Sequence, residues 1–132
     1  MIDITPQPLV LLVDDDKFLL DMYAMKFTKE GYKVQACLSV SEALEVLRSG
    51  VRPDALLSDI VMPEHDGFFL FAAIQKENLL GEGKLIALTN QGSPEEQIRA
   101  QSLGVEKYMI KATMIPSEVV QAVTALLSEN KK

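Results

Sequence analysis

Apolar and polar positions alternate along this chain in two rhythms. Short apolar runs of strand length recur at "LVLLV" (Leu9 to Val13), "KVQAC" (Lys33 to Cys37), "ALLS" (Ala55 to Ser58), "LIALT" (Leu85 to Thr89) and "KYMI" (Lys107 to Ile110). Several are apolar throughout, the pattern of strands buried on both faces of a parallel sheet beneath covering helices. Between them lie stretches with helical spacing that begin near Asp16, Ser41, Asp66, Ser93 and Pro116. In the first, Leu19, Met22, Tyr23 and Phe27 form a stripe able to pack on the sheet, and Gly31 stops it. Ser39 or Ser41 can cap the second, which ends at Gly50 and Pro53. Ser93, Pro94, Glu95 and Glu96 read as the cap and acidic first turn of the fourth, which Gly104 closes. Five alternations of strand and helix predict a right-handed, doubly wound α/β sandwich.

With 132 residues and 48% hydrophobic content, the chain has a core for one globular domain and no room for a second. The net charge of −6, without a basic cluster, argues against direct binding of nucleic acid. The start, "MIDITPQPL", lacks the charge and apolar core of a signal peptide, and no apolar run reaches the ~20 residues of a membrane span. The expected location is therefore cytoplasmic, with no membrane partner. Cys37 is the only cysteine, so neither a disulfide framework nor a cysteine metal site exists; it reads as a buried strand residue rather than a redox sensor.

In doubly wound sheets, ligands bind at the carboxyl ends of the strands. Those ends carry Asp14 and Asp15, Asp59, Thr89 and Lys111. Each alone has an ordinary explanation as a cap, turn former or solvated lysine. Five polar groups converging at the ligand edge do not.

The stretches "LLVDDD", "LLSDIVMPEHDG", "ALTN" and "KYMIK", in that order, resemble the receiver domain of a two-component response regulator over essentially the whole length. The resemblance implies a flavodoxin-like three-layer sandwich, with a five-stranded parallel sheet in the order 2-1-3-4-5 and five helices. It also implies a single receiver domain over residues 1–132, core about 8–128, of the stand-alone, chemotaxis-regulator-like subtype without an output domain. Three carboxylates in one pocket repel by several kcal/mol per close pair at an effective dielectric of about 20, so a cation is required. Mg2+ suits that role, since it takes one or two carboxylates, keeps waters and accepts phosphate oxygens. By resemblance, Asp15 and Asp59 would bind it directly, Asp14 mainly through water, and the Val61 main-chain carbonyl would add an oxygen. Asp59 would be the phosphoacceptor, fed by a sensor histidine kinase, a histidine phosphotransfer protein or acetyl phosphate. Lys111 would stabilise the transferred group, while Thr89 and Tyr108 would form the switch read by a downstream protein target, with a phosphorylation-dependent dimer left open. Such a protein is no enzyme beyond its own Mg2+-dependent phosphorylation and dephosphorylation. In "MPEHDG", Pro63 would stiffen the loop, Asp66 cap the third helix and Gly67 allow a tight approach, leaving His65 a solvated loop residue.

Three features depart from the family pattern. Ala112 follows Lys111 where a proline with a cis bond is usual, so the last loop is either strained or takes another path. "LTNQG" sets Asn90 and Gln91 beside the phosphate's route to water, and Gln91 is expected to influence phosphoryl lifetime. In "FFLFAAI", Leu70, Phe71 and Ile74 can face the sheet while Phe69 and Ala73 point away, toward either a partner or neighbouring loops. Among rival functions, a haloacid-dehalogenase-type phosphatase needs an acidic pair after the lysine, where only Glu118 and Glu129 occur. A flavin binder needs hydroxyls and glycines in place of three aspartates after the first strand. A pseudo-receiver acting purely as an interaction module would have little reason to keep all five polar residues.

Overall fold

The computed structural model describes residues 7–90 and 92–129. Five parallel strands, β1 (Leu9–Val13), β2 (Lys33–Cys37), β3 (Ala55–Ser58), β4 (Lys84–Thr89) and β5 (Lys107–Ile110), form one sheet in the order β2-β1-β3-β4-β5. The helices α1 (Lys17–Lys29), α2 (Val40–Arg48), α3 (Gly67–Glu77), α4 (Pro94–Ser102) and α5 (Pro116–Ser128) alternate with them.

Alternation along each strand divides the core into two layers. Leu11, Val13, Leu56, Leu85 and Ala87 meet α2, α3 and α4 through Val40, Leu44, Leu47, Phe71, Ile74 and Ala100. Val10, Leu12, Leu57, Ile86, Leu88 and Met109 meet α1 and α5 through Leu20, Tyr23, Phe27, Val119 and Val123. β1, β3 and β4 have helices on both sides, which is why their apolar runs show no alternation.

Helix starts follow the side chains that satisfy free backbone N–H groups. Asp16, Ser39, Asp66 and Ser93 each accept from the backbone three residues on and cap α1, α2, α3 and α4. Ser39 is thus the cap of α2, and Ser41 lies inside the helix.

Two predicted faces need correction. The buried stripe of α1 is Leu20, Tyr23 and Phe27, whereas Leu19 is half-buried and Met22 sits on the outer face. The two stripes share Tyr23 and Phe27, and spacing alone did not decide which leucine joined them. On α3, Phe69 is exposed as expected, but Ala73 packs against the core and Ala72 takes the outward position. No peptide bond among the described residues is cis, and Lys111–Thr113 forms a single 3-10 turn, so the last loop takes another path.

Cys37 ends β2 fully buried, and desolvation pushes its thiol up to about 12. A thiol that titrates there carries almost no thiolate at neutral pH. Alkylation of Cys37 at pH 7.5 is expected to proceed only at the rate of unfolding and to become fast in denaturant; rapid labelling of the native chain would contradict the burial.

A candidate acidic site at the carboxyl edge of the sheet

The register of β1, β3 and β4 brings Val13, Ser58 and Ala87 side by side, so the next residues emerge together at one edge. Asp14 follows β1, Asp59 follows β3, and Lys111 follows β5, while Thr89 is the last residue of β4. This edge lies where the winding reverses between β1 and β3, the crevice used for ligands in doubly wound sheets.

Asp14 and Asp59 are almost completely buried, and the Lys111 ammonium donates to both, at 2.6 Å to Asp14 Oδ2 and 2.9 Å to Asp59 Oδ2. The second oxygens are also occupied: Asp14 Oδ1 accepts from Asp16 N at 2.9 Å and Asp59 Oδ1 from Ile60 N at 2.7 Å. Asp15 remains exposed, yet one oxygen from each of Asp14, Asp15 and Asp59 falls within 4.8 Å of the others. Three carboxylates against one ammonium leave two uncompensated negative charges in a largely desolvated cleft. Hard oxygen donors in that arrangement, one of them open to water, fit a small divalent cation.

Burial pushes the Asp59 carboxyl above its usual range, and Asp14 adds to the shift, although Lys111 and the Ile60 amide pull it down. Lys111 shows the opposite balance. Burial alone would lower it, but hydrogen bonds and charge from Asp14 and Asp59 raise it.

The structure thus gathers four of the sequence candidates, Asp14, Asp15, Asp59 and Lys111, into one contact group. Thr89 is buried at the same edge on β4. Val61 lies two residues beyond Asp59, with its side chain exposed. Tyr108 is half-buried on β5, and its hydroxyl donates to Glu96 in the first turn of α4 at 3.1 Å. Burial and the Glu96 carboxylate push that phenol up to about 12. The Tyr108 hydroxyl also occupies the space that a Cβ on Gly92 would need. Gln91 lies outside the described residues.

Gly67 confirms the expected tight approach: its N–H donates to Ile60 at 2.7 Å, and a Cβ there would stand 2.5 Å from the Asp59 carbonyl oxygen. His65 is exposed and stacks on Phe69, with centroids 4.0 Å apart. Sequence reasoning expected Tyr23 to pack on the sheet, and it missed the Glu96 partner of Tyr108 and the steric role of Gly92. Glu96 had a visible role as a dipole complement, which masked its second one. Gly92 carried no signal apart from being glycine.

Residues 10–124 match the response regulator receiver domain family. Among curated relatives, the response regulator SaeR of Staphylococcus aureus is 32% identical over 123 residues, 93% of this chain and 52% of that protein. The chain therefore spans about half the length of the curated relatives it matches. A CheY-like response regulator receiver domain protein from Methanospirillum hungatei superposes with TM-score 0.86 at 26% identity, covering 94% of this chain and 96% of that one. The receiver domain of the Francisella response regulator 1452 gives 0.82 at 28% identity, with coverage of 95% and 100%.

The raised Asp59 carboxyl has a consequence for stability. A carboxyl whose folded pKa exceeds its unfolded one loses stability as pH rises through that interval. Without divalent ions, Asp59→Asn is expected to unfold at a higher temperature than wild type at pH 7 to 8, the gap closing as pH falls and Asp59 gains its proton. Mg2+ is expected to stabilise the wild type, by about 2.7 kcal/mol at 100 times its Kd, and so to raise its midpoint while leaving the variant nearly unmoved. Thermal melts across pH and Mg2+ concentration check both.

Proposed function

The chain belongs to the response regulator receiver domain family, and on that premise we propose that it accepts a phosphoryl group on Asp59 and signals by the resulting change of shape. The observation that carries this reading is the buried Asp59 carboxylate held with Asp14 by one ammonium, beside a third carboxylate. An Asp59 oxygen attacks phosphorus in a phosphohistidine or acetyl phosphate, forming an O–P bond as the bond to the leaving group breaks. Lys111, already at the Asp59 oxygen, pairs with the charge on the transferred group. Asp14, Asp15, Asp59 and the Val61 carbonyl are the groups that would hold Mg2+. When bound, the ion neutralises carboxylate and phosphoryl oxygens. Thr89 and Tyr108 form the switch in this reading, since both stand on strands that flank the loop leading into α4. The chain then acts in the cytoplasm as a signalling module between a phosphodonor protein and a downstream protein target.

The outer face of α1 supports a docking site for the donor. Phe18 and Met25 are 76% and 73% exposed, and Met22 lies between them on the same stripe. Ile115, 61% exposed, stands just before α5, the helix that packs beside α1. An apolar strip beginning four residues from Asp14 fits a donor that must reach the acidic mouth.

Incubation with Mg2+ and acetyl phosphate is expected to add the mass of about one phosphoryl group, absent from Asp59→Asn. Lys111→Met is expected to slow labelling by about 10²–10³. No adduct, under conditions that label a control receiver, overturns the assignment. Phe18→Glu is expected to slow transfer from a phosphohistidine protein about tenfold or more while leaving labelling by acetyl phosphate unchanged. Equal effects on both donors would remove α1 from the docking site.

A further inference from the structure

Among the described residues, four polar or charged side chains other than tyrosine are buried: Asp14, Asp59, Thr89 and Ser58. The first three belong to the acidic edge. Ser58, the last residue of β3, stands in register between Val13 and Ala87, on the side of the sheet that meets α2, α3 and α4, and is 1% exposed. A hydroxyl set among apolar neighbours costs stability unless it finds a partner.

Its partner is the main-chain carbonyl oxygen of Asp59, to which Ser58 Oγ donates at 2.8 Å. That oxygen and the Ile60 N–H are the two ends of one peptide group, and the N–H donates in turn to Asp59 Oδ1 at 2.7 Å. A planar trans peptide sends its carbonyl and its N–H in opposite directions, so whatever fixes one aims the other. Among the described residues, no backbone N–H donates to the Asp59 carbonyl. Ser58 holds that end. The start of α3 closes over it: a Cβ on Gly67 would stand 2.5 Å from the same oxygen, and the Gly67 N–H donates to the Ile60 carbonyl at 2.7 Å. The first peptide after Asp59 is thus gripped by a hydroxyl and the second by the helix backbone.

We propose that Ser58 is a positioning residue for the phosphoacceptor, acting through the Asp59–Ile60 peptide. Its hydroxyl fixes the rotation of that peptide, the peptide N–H anchors Asp59 Oδ1, and the anchored carboxylate holds Oδ2 at one angle beside Lys111. A carboxylate with one oxygen tied to the backbone has lost its free rotation, so it meets a phosphoryl donor already aligned. Without the hydroxyl, a buried carbonyl is left unpaired, and the peptide turns toward another donor and draws its N–H off Oδ1. The inference rests on the reading of Asp59 as the phosphoacceptor, and it adds a residue that acts at one remove.

The test is Ser58→Ala, with Ser58→Cys as a second variant that keeps the volume and a weak donor. The rate of labelling by acetyl phosphate is measured against donor concentration, at Mg2+ saturating for each protein. For Ser58→Ala the maximal rate is expected to fall about tenfold with KM nearly unchanged, and Ser58→Cys is expected to lie between it and the wild type. Without Mg2+, the Ile60 amide proton is expected to move upfield in the same order as its bond to Oδ1 loosens. A serine that merely fills the core would lower the unfolding midpoint and leave both readouts in place. A wild-type maximal rate, an effect confined to KM, or an unmoved Ile60 amide in Ser58→Ala overturns the proposal. Should that variant not fold, the same results in Ser58→Cys overturn it. If acetyl phosphate fails to label the wild type, the reading of Asp59 falls, while the Ile60 amide still decides whether Ser58 holds the peptide.

Discussion

The Lys111 ammonium, 2.6 Å from Asp14 and 2.9 Å from Asp59, is the contact on which the edge of this fold depends. Two buried carboxylates at adjacent strand ends repel, and the register that aligns β1 with β3 leaves them no way to separate. Only an opposite charge from a third strand end relieves them, and β5 supplies it across β4. The sheet therefore stores an imbalance: the hydrophobic layers hold the strands in place, and the strands hold charges together that would part in solution. Charges held in this way need little rearrangement to meet a cation, because the cost of assembling them was met during folding.

The three consecutive aspartates illustrate how finely this imbalance is divided. Asp14 turns inward to Lys111, Asp15 stays in water, and Asp16 caps α1. Asp14 also accepts from the Asp16 backbone at 2.9 Å, so the helix cap and the buried carboxylate brace each other. One short run of like charge thus ends a strand, starts a helix and opens a site.

Much of this was legible in the sequence because it follows from rules that act locally. Strand runs, caps such as Asp66 and Ser93, and polar residues at strand ends can each be read in a window of a few residues. The face of α1 was harder, since Leu19 and Leu20 both satisfy helical spacing and only packing against α5 and the sheet decides between them. Ala72 and Ala73 posed the same problem on α3. The Tyr108–Glu96 bond was hidden for a different reason. Its partner comes from another element, and no local pattern announces it.

Gly92 and Tyr108 have a consequence of that non-local kind. The tyrosine hydroxyl fills the volume that any side chain at position 92 would claim. The two positions therefore hold one shared allotment of space, 16 residues apart in sequence and on opposite sides of α4. Bulk gained at position 92 forces the Tyr108 ring to move aside. The ring's place beside Glu96 therefore depends on a bare backbone two residues before α4.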